Sequence, residues 1–431
     1  MSSEPIKVFI IGAGAFGLST ALHLLTTPRR YNVTILERHP SGLPPDSASY
    51  DLNKIVRSDY PDLAYARLAR EAVSLWKEEA WDGVYHETGV LVLGDHSPTG
   101  QYTSSSLTNS LALGCRIIPA TDVGLQAYFP PIVPIPMFER DSAYLNRDGG
   151  WVEAERTMGV LRAQVEGLGA LLLGGRTVTG LTKDDRGEMD AVLLSSGEDM
   201  HADLVVVATG AWTPSLFPHL GLQEKLLATG QSELFLRLSE EERSRWKGNP
   251  VLLDWNTGMS VFEPTEDGTV KIAIHHAGYV YRKQQIVEGK EYVVSTPLTS
   301  EEGSIRRPAV PGEVVTRLRD WLKQRYPGTL GDNPFVGSRM CWYTDTPDGD
   351  WLVDFHPEHP KLLFVTGGSG HAFKFLPNLG SLVRQRIERS LPQEWAGKVA
   401  WKEGREGRDV SRVGERTELL DLGGLVELGG C

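Results

Sequence analysis

Residues 7–11 (KVFII) are a short, β-branched and aromatic run, which predicts a buried strand. Glycines interrupt the run, and residues 18–25 resume it with helical character. After a polar turn near 28–31, residues 32–37 (NVTILE) predict a second strand that ends on an acid. Strand, tight turn, helix and strand together form the opening unit of a doubly wound α/β sheet. Further on, residues 64–81 predict a long amphipathic helix, and 90–93, 170–173, 204–208, 270–274 and 362–366 predict strands. Pro-rich connectors fall at 130–136 and 308–311. After about residue 395 the pattern gives way to charged, glycine-containing sequence (WKEGREGRDVSRVGE), which reads as an extended arm or partly mobile tail.

One stretch imitates a membrane span, because residues 8–25 carry no charge over 18 positions. Gly12, Gly14, Gly17, Ser19, Thr20 and His23 interrupt it, and no basic run precedes it, so a strand followed by a helix fits better than a span or a signal peptide. The chain has 431 residues, a length expected to make two to three domains with a large core. Its net charge of −12 argues against nucleic acid or an anionic membrane as partner. Cys115, Cys341 and Cys431 are too few and too scattered for a disulfide framework or a Cys-rich zinc module. The Gly-Gly-Cys ending matches neither a prenylation box nor a peroxisomal signal, and the expected location is cytoplasmic. Asp354, His356 and His359 sit among prolines in a turn-like stretch, and no metal is expected.

Gly12-Ala-Gly14-Ala-Phe-Gly17 matches G-x-G-x-x-G directly after a strand and at the start of a helix. The first glycine permits the tight turn, the second lets a pyrophosphate approach the backbone, and the third packs helix on sheet. Helix N–H groups then face the phosphates. Glu37 ends the second strand 20 residues past Gly17, where an acid binds ribose hydroxyls. Gly12, Gly14, Ala15, Phe16, Gly17, Glu37 and Arg38 are therefore expected cofactor contacts, with FAD or NAD still open. Residues 203–210 (DLVVVATG) resemble the later strand of FAD-binding two-domain oxidoreductases, and 175–178 (GRTV) resemble their adenine-contacting stretch. That resemblance adds Val178, Thr209, Gly210 and Trp212 and favours FAD.

Four further motifs resemble the amine oxidase family of monomeric sarcosine oxidase, pipecolate oxidase and the fungal fructosyl amino acid oxidases (amadoriases), over about residues 6–380. The first is Asp51-Leu-Asn-Lys54-Ile-Val-Arg57. The resemblance places Lys54 near the flavin ring and Arg57 near a substrate carboxylate, which a guanidinium grips with two parallel hydrogen bonds. The second is Lys271-Ile-Ala-Ile-His275, four apart on a strand and so on one face. The family has a lysine at the Lys271 position that promotes oxygen reduction. His275 matches sarcosine oxidase where amadoriases have glutamate. The third is Arg339-Met-Cys341-Trp-Tyr343, in which the family's cysteine forms a thioether to the flavin 8α-methyl, while Tyr343 assists with the carboxylate or packs. The fourth, Gly367-Gly-Ser-Gly370-His-Ala-Phe-Lys374, resembles the loop that closes over the flavin and adds Gly368, Gly370, His371, Phe373 and Lys374. Ala372 departs from the usual glycine there, and Lys374 is the implied second cation for the carboxylate.

The resemblance implies a two-domain α/β (α+β) flavoprotein like D-amino acid oxidase. A Rossmann-like FAD domain is expected over 1–90, 150–230 and 335–400, an antiparallel-sheet substrate domain over 91–149 and 231–334, and a charged C-terminal arm over 401–431. The implied activity is oxidation of a secondary amine of an amino acid (sarcosine, an N-methyl amino acid or pipecolate) to an imine, with O2 reduced to H2O2. FAD would be covalent through Cys341 and the protein a monomer. Catalysis would rest on Lys271, His275, Tyr343 and Lys54, and substrate binding on Arg57, Lys374, Tyr343 and His275. Alternatives within the class are a fructosyl amino acid, saccharopine, or an N-methylated intermediate of fungal secondary metabolism. A non-catalytic flavin sensor and an NAD-dependent dehydrogenase are the readings from other classes. The tail only loosely resembles the amadoriase stretch that supplies a substrate-binding arginine, so no tail residue is assigned.

Overall fold

The computed structural model describes residues 4–42, 46–94, 98–121, 124–131, 133, 135–136, 143–183, 187–299, 309–404, 409, 411–412, 414–419, 424–426 and 428. Parts of both Pro-rich connectors, Arg405 and Arg408 of the tail, and the Gly-Gly-Cys ending lie outside them. In chain order, the elements that position the site begin with β1 (Ile6–Ile11), α1 (Ala15–Leu25), β2 (Tyr31–Glu37), β3 (Asn53–Val56), α2 (Leu63–Leu75) and β4 (Val90–Leu93). They continue with β5 (Leu171–Gly174), β6 (Leu204–Val207), β7 (Leu227–Arg237), β8 (Val251–Asp254), β9 (Met259–Val261) and β10 (Thr269–Ile274), and end with β11 (Phe335–Asp345), β12 (Leu352–His356), β13 (His359–Thr366) and α3 (Leu376–Ile387).

The first sheet has six strands in the order β12-β13-β6-β1-β2-β5, with β1 central and parallel to β2 and β6. Val8, Ile10, Val33, Ile35, Val205 and Val206 are almost wholly buried, which explains why these strands read as unbroken apolar runs. The helix α1 crosses α3 at very short range. A Cβ on Gly380 would sit 1.9 Å from the Ser19 carbonyl, and the Ser19 hydroxyl bridges the contact by donating to Leu376 O at 2.7 Å and accepting from Gly380 N at 2.9 Å.

The helix expected over 64–81 is shorter in the structure. Asp62 caps it by accepting from Ala64 N and Tyr65 N, and α2 ends at Leu75. The chain then turns so that Trp76 and Trp81 pack with ring centroids 4.3 Å apart, and left-handed Asp82 and Gly83 close the turn. The Asp82-Gly83 pair ends this turn and not the helix, and the apolar spacing that runs on through Trp76 and Trp81 carries no mark of the boundary at Leu75.

The second sheet has ten strands, most of them antiparallel, and it branches at β7, which pairs with both β10 and β11. Register sets the chemistry: β7 pairs β10 with Phe235 opposite Lys271, and pairs β11 with Glu233 opposite Arg339 and Gln231 opposite Cys341. The segment read as an extended arm is instead bound to this half of the molecule. Thr417–Glu418 pairs with Tyr279–Val280, Val426 pairs with Val310, and Leu419 is buried in the adjoining core.

Candidate active site

Where β1 gives way to α1, Gly12 takes φ +103°, and a Cβ there would lie 2.6 Å from the Ala208 carbonyl. A Cβ on Gly17 would lie 2.0 Å from Gly12 O, so Gly17 allows the turn to close on itself and does not line the cavity beyond. Glu37 is buried and accepts from Ala13 N and His39 N, both at 3.0 Å. The cavity has a volume of about 500 Å³. Gly12, Gly14, Ala15, Phe16, Glu37, Arg38, Val178, Thr209, Gly210 and Trp212 line it, together with Lys54, Tyr343, Gly368, Gly370, His371 and Phe373. Arg38 lies over the Trp212 ring at 4.3 Å and pairs with both carboxylate oxygens of Asp46. A glycine cradle, a helix N-terminus and a buried acid at the end of β2 fit the diphosphate and ribose of FAD. At the other wall Ser369 is held at φ +45° by Gly367 O and Thr346 N, a strained backbone of the kind found where a ligand is clamped. Ala372 is accommodated because Gly368 opposite it has no side chain: a Cβ there would be 3.2 Å from the Ala372 methyl.

A second cavity of about 240 Å³ shares Lys54, Tyr343, Gly370, His371 and Phe373 with the first. Arg57 and Lys374 both line it. Arg57 donates to Asp59 O and to the Tyr102 hydroxyl, and its guanidinium lies 4.8 to 5.9 Å from the ring centres of Tyr60, Trp255 and Tyr102. Lys374 Nζ donates to His371 O at 2.7 Å and to Tyr60 Oη at 2.9 Å. The Tyr60 proton then goes to His371 Nδ1, and His371 Nε2–H goes to Gly349 O. Burial, then the charge of Arg57, push the Lys374 amine well below its ordinary value. Among the described residues neither cation has an acidic partner within ion-pair distance. The arrangement suits an anion, and a carboxylate entering it relieves the repulsion between the two cations.

Beside this cavity lies a buried network of five charges. Lys271 contacts Asp51 and is 3.0 Å from Glu233. Lys54 is 2.5 Å from Asp51 and 3.8 Å from Glu233, and Arg339 is 3.4 Å and 3.3 Å from the same two acids. Burial acts against the Asp51 carboxylate, but the charges of Lys271, Lys54 and Arg339 overcome it and hold the pKa far below the usual range. Cys341 is wholly buried with Sγ 3.6 Å from Lys54 Nζ, and it lines neither cavity. Burial pushes its thiol up, and Lys54 offsets part of that.

His275 lines the second cavity, its ring 6.1 Å from that of Tyr343. Burial, followed by the charges of Arg412 and Arg57, holds the imidazole well below its ordinary value, so it is neutral. The tail reaches it: His275 Nε2 is 3.1 Å from Ser411 Oγ, and Asp409 and Ser411 both line the cavity. Arg412 pairs with Asp345 at 2.5 Å and lies over the Tyr343 ring at 5.2 Å.

Sequence reasoning had left Asp51, Glu233, Arg339, Tyr60, Tyr102, Trp255, Asp409, Ser411 and Arg412 without roles. Glu233 carried a signal, as the lone acid of residues 227–237 (LATGQSELFLR), while the tail carried only charge.

The FAD dependent oxidoreductase family model matches residues 7–386. The L-saccharopine oxidase of Schizosaccharomyces pombe is 27% identical over 92% of this chain and 93% of that protein. The amino acid oxidase imqH of Aspergillus flavus is 29% identical over 90% and 93%. The solved fructosyl peptide oxidase from E. terrenum superposes with a TM-score of 0.85 at 25% identity, covering 97% of each chain. With its glycine cradle in place and its family match running through almost every element that builds the two cavities, the chain belongs to the FAD dependent oxidoreductases.

Proposed function

We propose that this enzyme oxidises the secondary amine of an amino acid to an imine and passes the electrons to oxygen, forming H2O2. The observation that carries this reading is the pair of buried cations, Arg57 and Lys374, which among the described residues have no acid within ion-pair distance, in a cavity that opens onto the FAD site. Bound FAD supplies the electron acceptor for the C–H bond beside nitrogen and, once reduced, the donor to oxygen. Arg57 and Lys374 grip the carboxylate, which leaves the amine and its carbon to the junction at Tyr343, Gly370 and His371. Tyr60, Tyr102 and Trp255 surround the guanidinium and keep water from it. Neutral His275 faces the amine as a hydrogen-bonding group. Lys271, fully buried and tied to two acids, holds a fixed positive charge where negative charge develops on oxygen. Cys341, beside Lys54, is the residue that would hold FAD covalently, through an 8α-S-cysteinyl bond.

Fructosyl amino acids and saccharopine enter as second candidates through the relatives, and His275 in place of glutamate weighs against the sugar-bearing class. The test is anaerobic mixing of the yellow protein with sarcosine, N-methyl amino acids, pipecolate, saccharopine and fructosyl amino acids, and with the unmethylated primary amino acids beside them. Rapid bleaching by a secondary amine, with peroxide on admission of air, is the expected result. Bleaching only by a primary amine would overturn the reading.

A further inference from the structure

The C-terminal segment contributes to the second cavity a hydrogen-bonded chain whose direction is fixed by its donors. Asp409 Oδ1 accepts from Ser411 N at 2.9 Å and from Ser411 Oγ at 2.6 Å, and Asp409 Oδ2 accepts from Arg412 Nε at 3.1 Å. Burial disfavours the Asp409 carboxylate, but Arg412 and the Ser411 donors outweigh it, and the group stays ionised. An ionised carboxylate only accepts, so the single Ser411 hydroxyl proton belongs to Asp409. Ser411 Oγ can then only accept from the imidazole 3.1 Å away, and Nε2 must carry the ring proton. Nδ1 is left as a lone pair. Among the described residues it has no hydrogen-bond partner, and the ring lines the cavity. Arg412 anchors the segment from behind, through His276 O at 3.0 Å and through Asp345.

We propose that Asp409 and Ser411 are positioning residues that fix His275 as its Nε2–H tautomer, presenting Nδ1 as acceptor to the N–H of the bound secondary amine. This rests on the function proposed above. The chemistry is coherent: a neutral secondary amine has one N–H to give to Nδ1 and keeps its nitrogen lone pair free to assist C–H cleavage. The opposite tautomer would point a second donor at that N–H.

The test uses two non-oxidisable ring acids on the FAD-loaded enzyme, pyrrole-2-carboxylate with an N–H and furan-2-carboxylate with an oxygen in its place. Binding is read from the perturbed visible band of the flavin and from tryptophan fluorescence. One hydrogen bond corresponds to about a tenfold preference for the pyrrole in the wild-type protein. Ser411→Ala and Asp409→Asn should each cut that preference at least threefold while furan affinity holds. His275→Asn should abolish it. If both tail variants keep the full preference, or if both ligands weaken equally, the proposal is overturned. A wild-type enzyme that binds both acids without preference also overturns it, and leaves the carboxylate clamp standing. A wild-type enzyme that binds neither sinks the clamp, and the proposal with it.

Discussion

The five-charge network makes a prediction whose sign follows from counting. Lys54, Lys271 and Arg339 face Asp51 and Glu233, which leaves one net positive charge in a buried site. Lys271→Met reduces the count to two cations and two acids. The methionine has nearly the same length as the chain it replaces, so the fold should lose little. Asp51→Asn leaves three cations sharing one acid, a net charge of two with almost no water to screen it. Removing one partner of a buried ion pair costs roughly 3–5 kcal/mol. Unfolding entropy of about 2.1 cal/mol/K per residue over 431 residues is about 0.9 kcal/mol/K, which converts that loss to about 3–6 °C in Tm. Lys271→Met should move Tm by about 1 °C or less on the same basis. Far-UV circular dichroism melts at one scan rate measure the difference, on samples matched for flavin content because a bound cofactor itself raises Tm. The cost has a relief valve. In Asp51→Asn a network lysine loses its chief partner and its folded-state pKa falls below the unfolded one. Above that lowered pKa the unfolded chain binds more protons than the native one, so the variant regains stability as pH rises. Glu233→Gln should behave like Asp51→Asn. Equal losses in Lys271→Met and Asp51→Asn, or a deficit that deepens with pH, would refute the charge-counting argument.

Two further outcomes follow from the same site. Lys271→Met should slow the return of electrons to oxygen by about 10²–10³ while leaving anaerobic bleaching close to the wild-type rate; stopped-flow measurement of the two half-reactions decides it, and equal slowing of both removes the oxygen role. On acid precipitation the wild-type protein should retain its flavin and Cys341→Ala should release it into the supernatant; retention by the variant would move the attachment site elsewhere.

Much of the cofactor side was legible from sequence because its constraints are local. Gly12 needs its positive φ and Gly17 its close approach to Gly12 O, both within the turn itself, and Glu37 falls at a fixed distance because a strand and a helix have fixed rises. The helix boundary at Leu75 was not legible, since apolar spacing continued through Trp76 and Trp81 while the chain turned to pack them against each other. The tail was misread for a related reason. Composition sees the charges of residues 401–416 as solvent-seeking, yet Arg412 pairs with both Asp409 and Asp345 and so is buried with its charge matched, with Asp409 half-buried beside it. Partner identity, which composition does not contain, decided the outcome.

Lys271 and Lys374 make the same point within the site itself. Both are buried lysines in motifs that resemble one family, and nothing in their immediate sequence separates them. Strand register places Lys271 diagonal to Glu233, through the pairing of Phe235 with Lys271, and Asp51 closes over it from the β3 side. Lys374 sits after a loop whose nearest acceptors are a carbonyl and a phenol, with a guanidinium as its nearest charge. The first lysine is paired with two acids before anything enters the cavity. The second is fully stabilised only when an anion arrives, so the cost of burying it becomes binding energy for a carboxylate. One residue type thus serves as a permanent charge in one place and a substrate receptor in the other, and the difference lies in which strands and loops carry the acids.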